Sequence, residues 1–297
     1  MTGPILVTGA TGLLGEELLR RLDPGSSRVV TAGRSAPSHG EHGDHHRCDL
    51  SVPEEAAALI EAVRPATIVH LAGGTSSDRH EVYRKNVLPT VYLLSSATRL
   101  GSPPYCIVMG SAAEYGEAAE EVSAESSPLR PVSDYGRAKL AQTTLAESIC
   151  AASGLPLTVL RPFNVVSPRL PPSAALGNLR RQLLEGEGRE RIVECGRLDV
   201  VRDFVPLASV AESILRLVER PAPGPAIDVC SGTGLALGSI LQAMAERLAV
   251  TVRIVQKPEL LAIPAAARVV GDPSRLLRTT GVRIAVTAAG MAEILLG

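Results

Sequence analysis

"ILVTGATGLLGEELLRRL" runs from Ile5 to Leu22, and its reading decides the fold. Ile5, Leu6 and Val7 form an unbroken apolar run, as a strand buried on both faces requires. Gly9, Gly12 and Gly15 then follow three apart, and a helical pattern runs from Glu16 to Leu22. Glycine permits a tight turn and close approach to the backbone, and a helix opening at that turn points unpaired N–H groups and a positive dipole end outward. Strand, glycine turn and helix in this order predict a cradle for the pyrophosphate of a dinucleotide, contacted by Gly9, Thr11, Gly12, Leu13 and Gly15. A structural glycine turn is the competing reading.

The same rhythm continues down the chain. Apolar runs recur in "RVVTAG", "ATIVHLAG", "YCIVMGS" and "LPLTVLRPF", separated by helical patterns over Pro53–Val63, Glu81–Leu100 and Asp134–Ser153. Strands of this kind joined by helical crossovers predict an α/β chain with a doubly wound parallel sheet of Rossmann type. Residues 1–163 are expected to form the dinucleotide-binding domain, and residues 164–297 mainly a smaller C-terminal substrate-binding lobe, with later segments returning to the first. In that second part Ser173–Glu185 reads as a helix, and "RDFVPLASVAESILRLVER" and "AIDVCSGTGLALGSILQAMAERL" each read as a strand entering a helix.

Composition narrows the function. A net charge of -1 leaves no basic footprint for nucleic acid, and 2% aromatic residues without Trp offer no stacking surface for bases. Five scattered cysteines without a C-x-x-C pair suit a reducing cytosol, so a cytoplasmic location is expected. The chain enters a strand at once, without a basic or apolar leader, and no apolar run reaches the roughly 18 residues of a membrane span. "HGEHGDHHRCD" gathers His39, His42, His45, His46, Cys48 and Asp49, but it falls in a loop between strands, and no metal is expected.

The second strand chooses between dinucleotides. Its end reads "TAGRSAP", with Arg34 and Ser35 where an acid would hold the ribose of NAD. A guanidinium and a hydroxyl suit a 2'-phosphate, so NADP(H) is preferred and NAD(H) is the alternative. Asp49 and Leu50 of "CDLS" are placed at the adenine, and Leu71, Ala72 and Gly73 of "HLAGG" line the cofactor.

Tyr135 and Lys139 in "SDYGRAKLAQ" stand four apart on a helix, hence on one face. A phenol with a pKa near ~10 is a poor acid at neutral pH, and an ammonium beside it would lower that value. Ser111, 24 residues earlier in "MGSAAEYG", ends a strand and offers a hydroxyl to the same substrate oxygen. Glu114 beside it reads equally as a solvated loop carboxylate or a substrate contact.

Taken together, "TGATGLLG", "CDLS", "HLAGG", "KNVLPT", "GSAAEYG", "YGRAK", "LRPFNVVSPR", "VRDFVPLASVA" and "DVCSGTG" resemble the extended short-chain dehydrogenases/reductases, the epimerase/dehydratase group. The closest likeness is to reductases of GDP-4-keto-6-deoxymannose. The resemblance implies that Ser111, Tyr135 and Lys139 are catalytic with Asn86 in support, and that Tyr135, Lys139 and Pro162, next to Arg161, contact the cofactor. It places Ser111, Ala112, Ala113, Asn164 and Arg202 at the substrate, and it implies a homodimer through the helices Glu81–Leu100 and Asp134–Ser153. Dehydratases of the group carry acids where this chain has Ala112 and Ala113, and a methyl cannot move a proton, so dehydration is not expected.

The expected function is therefore an NADPH-dependent ketoreductase. Its substrate would be a nucleotide-linked 4-keto-6-deoxysugar, or a polyketide or aromatic ketone of secondary (antibiotic) metabolism. An NAD-dependent nucleotide-sugar 4-epimerase is the alternative. The second substrate class stays open because the group's second diphosphate arginine is missing from "ELLAIPAAARVVGD", where Arg268 is the nearest replacement.

Overall fold

The computed structural model describes residues 3–22, 28–37, 44–116, 126–262 and 266–297. Its first part alternates strand and helix: β1 (Ile5–Thr8), α1 (Leu13–Arg21), β2 (Val29–Gly33), β3 (Asp44–Arg47), α2 (Pro53–Val63), β4 (Thr67–His70), α3 (Arg79–Ala97), β5 (Tyr105–Met109), α4 (Asp134–Ser153) and β6 (Leu157–Pro162). The rest comprises β7 (Asn164–Val166), α5 (Ala175–Glu185), β8 (Glu190–Cys195), β9 (Val201–Pro206), α6 (Leu207–Glu219), β10 (Ile227–Val229), β11 (Gly234–Ala236), α7 (Leu237–Arg247), β12 (Thr251–Gln256), α8 (Pro258–Leu261), β13 (Arg268–Val269), α9 (Ser274–Thr280) and α10 (Ala288–Leu296).

Among the described residues, seven parallel strands form the main sheet in the order β10-β6-β5-β4-β1-β2-β3. Successive side chains on a strand point to opposite faces, and here both faces are apolar. Ile5, Val7, Val29, Val69 and Ile107 belong to one core, which α1 covers with Leu18 and Leu19 and α6 with Val210, Ile214 and Leu217. Leu6, Val30, Ala32, Ile68, Cys106 and Val108 belong to the other, covered by Leu59 and Ile60 of α2, Leu93 and Leu94 of α3, and Ala146 and Cys150 of α4. Each fully buried Leu, Ile or Val contributes roughly 1.5 to 3 kcal/mol over exposure, so two-sided burial is what the continuous apolar runs encode.

Helix ends follow local chemistry. Asp78 accepts hydrogen bonds from the His80 and Glu81 N–H groups, so α3 starts at Arg79, ahead of the expected Glu81. Ser133 accepts from the Gly136 N–H at 3.0 Å and starts α4, which stops at Gly154 in the left-handed conformation (φ 74°). Likewise α1 begins at Leu13, one full turn closer to the glycine cradle than the pattern from Glu16 predicts.

The C-terminal part builds a small sheet on β9, which pairs with β11, β13 and β7, while β8 and β12 form a separate pair. The β10 strand returns to the edge of the main sheet beside β6. Asp203 of β9 holds these pieces in place. Its buried carboxylate accepts from the Ser231 N–H (2.9 Å), the Ser231 hydroxyl (2.7 Å), the Gly232 N–H (2.9 Å) and the Gly271 N–H (3.3 Å). Replacing Asp203 by Ala strands three backbone donors, so Asp203→Ala is expected to cost about 2 to 4 kcal/mol in urea unfolding. A variant as stable as the parent would show that water serves these donors equally well.

Candidate active site and dinucleotide cleft

A cleft of about 260 Å³ opens at the carboxyl ends of β1, β2 and β4. Gly9, Thr11 and Gly12 form its floor, Arg34, Ser35, Asp49 and Leu50 one end, and Leu71, Ala72 and Gly73 a wall. Leu13 and Gly15 lie behind it in the first turn of α1. Gly9 adopts φ +70°, and a Cβ there would come within 2.6 Å of the Ala72 nitrogen. A Cβ on Gly15 would strike the Gly9 carbonyl. Gly12 caps α1 without a side chain, so the first-turn N–H groups have no side-chain oxygen from the cap. The turn therefore fits a phosphate: small, close to the backbone and at a positive helix end.

Two charged cleft residues escaped the sequence reading. Arg84 and Lys85 of α3 line the same end as Arg34 and Ser35. Arg84 pairs with Glu81 at 2.9 and 3.0 Å and donates to the Ser51 hydroxyl at 3.2 Å. Asp49 accepts from the Ser51 N–H (2.9 Å) and hydroxyl (2.6 Å), and these bonds, then Arg34 and Arg84, hold its carboxyl below the usual range. The signal was available: "RKN" sets both cations directly before Asn86.

Beyond the cleft, the first turns of α4 place Tyr135 and Lys139. Gly136 lets that helix close on the Ala112–Glu114 turn, since a Cβ there would strike the Ala113 carbonyl. The Ser111 hydroxyl consequently lies beside the Tyr135 phenol and pulls its pKa down. Lys139 is buried, and its Nζ donates to the Met109 carbonyl (2.8 Å) and Gln142 Oε1 (2.9 Å), 6.0 Å from the centre of the Tyr135 ring. Burial brings its ammonium down to about 8, against an upward pull from Glu114. The Tyr135 phenol is pushed up, by burial first and by Glu114, with only the Ser111 hydroxyl opposing. The expected lowering by Lys139 is absent here: burial and Glu114 act upward, and Ser111, not Lys139, is the group that acts downward.

Asn86 is fully buried and ties α3 to the loop after β4. Its amide donates to the Gly74 carbonyl (2.8 Å) and the Val82 carbonyl (2.7 Å) and accepts from the Gly74 N–H (3.2 Å). Gly73 is wedged beside it: a Cβ there would lie 2.6 Å from Asn86 Oδ1 and 3.4 Å from Lys139 Nζ. Behind them His70 bridges Thr8 (2.7 Å) and Thr90 (2.9 Å), and burial, then Lys139, pushes its imidazole down to about 3. A neutral imidazole thus backs the ammonium.

Glu114 is neither solvated nor turned to a substrate. It is fully buried, accepts from the Ser111 N–H (2.9 Å) and the Thr143 hydroxyl (3.0 Å), and pairs with Arg161 Nε at 2.9 Å. Arg161 lies 5.5 Å over the Tyr115 ring, whose hydroxyl donates to Asp228 at 2.9 Å. Pro162 ends β6 just beyond this pair.

The remaining expectations fall elsewhere. Asn164 is exposed and donates to the Asp203 carbonyl at 2.9 Å. Arg202 donates to the Val201 (2.8 Å) and Ala266 (2.9 Å) carbonyls. Arg268 pairs in register with Val201, one position from Arg202, so it leaves the sheet on the other face and is no second clamp beside Arg202. His39 and His42 lie outside the described residues. His45 shares a 2.9 Å hydrogen bond with Thr31, and no group of three His, Cys, Asp or Glu fit for a metal occurs among the described residues. No helix among them is long and apolar enough to cross a membrane.

Comparison with known proteins gives the family. The chain is 30% identical over 261 residues to a dTDP-6-deoxy-L-talose 4-dehydrogenase (NAD(P)(+)) of Kitasatospora kifunensis, covering 86% of this chain and 82% of that protein. It is 30% identical over 302 residues to a GDP-6-deoxy-D-mannose reductase of Pseudomonas aeruginosa, covering 97% and 94%. A solved structure described as RMD from Pseudomonas aeruginosa complexed with NADPH superposes with a TM-score of 0.84 at 26% identity, over 99% of this chain and 98% of the other. Residues 5–230, from β1 through the strand that closes the main sheet, match the NAD dependent epimerase/dehydratase family, and the chain belongs to that family.

Proposed function

We propose that the protein is an NADPH-dependent reductase of nucleotide-linked 4-keto-6-deoxyhexoses. The observation that carries this reading is the Ser111 hydroxyl beside the Tyr135 phenol, with the buried Lys139 Nζ 6.0 Å from the Tyr135 ring centre and the methyl groups of Ala112 and Ala113 in the turn that follows Ser111. The names of the two 30% identical relatives, one a 4-dehydrogenase and one a reductase of 6-deoxyhexoses, support the substrate class.

NADPH, when bound, supplies the hydride. The chain's own residues do the remaining work. The Gly9–Gly15 turn binds the pyrophosphate, Arg34, Ser35 and Arg84 meet the 2'-phosphate, and Asp49 and Leu50 hold the adenine end. Tyr135 gives its phenolic proton to the oxygen that becomes an alkoxide, and Ser111 donates a hydrogen bond to that oxygen. Lys139 holds positive charge behind Tyr135, which favours the phenolate left after proton transfer. Ala112 and Ala113 cannot accept or deliver a proton, so C5 and C6 of the sugar stay untouched.

Three measurements test the reading. Oxidation of NADPH should follow addition of a GDP- or dTDP-linked 4-keto-6-deoxyhexose, and Tyr135→Phe should lower kcat about 10²- to 10⁴-fold while NADPH binding persists. Undiminished turnover by that variant, or reduction of polycyclic ketones alone, would overturn it. Arg34→Ala should weaken NADPH binding about 10- to 100-fold through loss of charge-assisted bonds and leave NADH unaffected in a fluorescence titration. Finally, Lys139 sits at about 8, so its ammonium is present below that pH and lost above it. Reduction should fall along an alkaline limb there in a kcat–pH profile.

A further inference from the structure

We infer that Glu114 is a positioning residue of this active site, a single buried carboxylate that ties Ser111, α4 and β6 together and is the negative charge behind Tyr135 and Lys139. The part that concerns ketone turnover rests on the reductase reading above. The part that concerns charge does not.

Geometry makes the case. Glu114 Oε1 accepts from the Ser111 N–H at 2.9 Å while Ser111 Oγ accepts from the Ala113 N–H at 3.1 Å, a reciprocal cap on the Ala112–Glu114 turn. The Ser111 hydroxyl accepts there and keeps its one hydrogen for donation, and it lies beside the Tyr135 phenol, whose pKa it lowers. The same Oε1 accepts from Thr143 at 3.0 Å. Tyr135, Lys139 and Thr143 follow each other at intervals of four on α4, so this bond grips the face that carries the reacting pair. Oε2 meets Arg161 at 2.9 Å and anchors the whole turn to β6. A methyl at position 110 would lie 2.6 Å from Oε1, so the carboxylate reaches this junction only across a glycine.

Charge follows from the same placement. Burial on balance pushes the Glu114 carboxyl up, while Arg161, the Ser111 N–H and the Thr143 hydroxyl pull it down, and the 2.9 Å contact with the Arg161 guanidinium is the geometry of an ion pair. Facing it are Arg161 of β6 and Tyr135 and Lys139 of α4; Tyr115, bonded to Asp228 of β10, lies against the Arg161 guanidinium, and the neutral His70 of β4 stands behind Lys139. Its negative charge raises both Tyr135 and Lys139. Removing that charge must let both groups release their protons at lower pH.

The chain has three lysines, Lys85, Lys139 and Lys257, so Lys139 can be titrated by NMR of 13C-labelled lysine with no substrate present. Its midpoint is expected to fall in Glu114→Gln and to stay at the parent value in Glu114→Asp, which keeps the charge but not the reach. In turnover of the 4-keto-6-deoxyhexose nucleotide, Glu114→Gln should lose about 10- to 100-fold in kcat, as expected for a misplaced reacting group, with its alkaline limb moved to lower pH and KM for NADPH unchanged. Glu114→Asp and Thr143→Val should lower kcat with the limb in place. An unmoved Lys139 midpoint in Glu114→Gln, a moved one in Glu114→Asp, or parent kcat in both variants overturns the inference. Should Glu114→Gln fail to fold, the Glu114→Asp and Thr143→Val profiles decide it. Loss of the reductase reading itself would appear separately, as turnover by Tyr135→Phe.

Discussion

A parallel sheet sealed by apolar side chains on both faces leaves polar chemistry one outlet, the ends of its strands. The rest of this structure follows from that constraint. Gly9 follows β1, Arg34 follows β2, Leu71 to Gly74 follow β4 and Ser111 follows β5, all at carboxyl ends. Loops at these ends are free of the core's demand for apolar residues, yet are held at fixed positions by strands that cannot slip without exposing a face. The cleft and the Ser111–Tyr135 pair are neighbours for that reason.

Behind this edge the protein buries charge, and it does so in balanced sets. Lys139 donates to Met109 and Gln142, Glu114 meets Arg161, and Asp228 receives the Tyr115 hydroxyl. An unpaired buried charge costs several kcal/mol, whereas a fully bonded set mainly fixes geometry. The shifted phenol and ammonium are thus products of one arrangement. Burial sets their directions, and the nearby carboxylate adjusts both toward higher values.

Fold and cleft were legible in the sequence because each signal was local. Gly9, Gly12 and Gly15 encode a turn directly, apolar runs encode buried strands, and a Tyr and a Lys four apart encode one helix face. The reading of Glu114 failed for a physical reason. A carboxylate in a loop after a strand is ordinarily solvated, and its burial here depends on Arg161, 47 positions away, and on Thr143, 29 positions away. Arg268 was chosen only as the arginine nearest the missing one in "ELLAIPAAARVVGD", which said nothing of register, and its pairing with Val201 rather than Arg202 puts it on the opposite face. The direction of Tyr135's shift likewise depended on burial, which no motif states.

These misreadings bear on how one turn separates two chemistries. "SAAE" holds one carboxylate in four residues, and in a dehydration site a carboxylate at such a turn would have to face the sugar. Here the acid lies on the last position of the turn and points inward to Arg161, and the two positions that precede it are methyls. An inward acid can serve as a cap and a counter-charge but cannot reach a proton on a substrate. The turn therefore keeps a carboxylate's structural value, a fixed Ser111, while giving up its acid–base chemistry. On the proposed reading, that division leaves Tyr135 as the proton donor next to Ser111, which is the arrangement a simple ketone reduction needs.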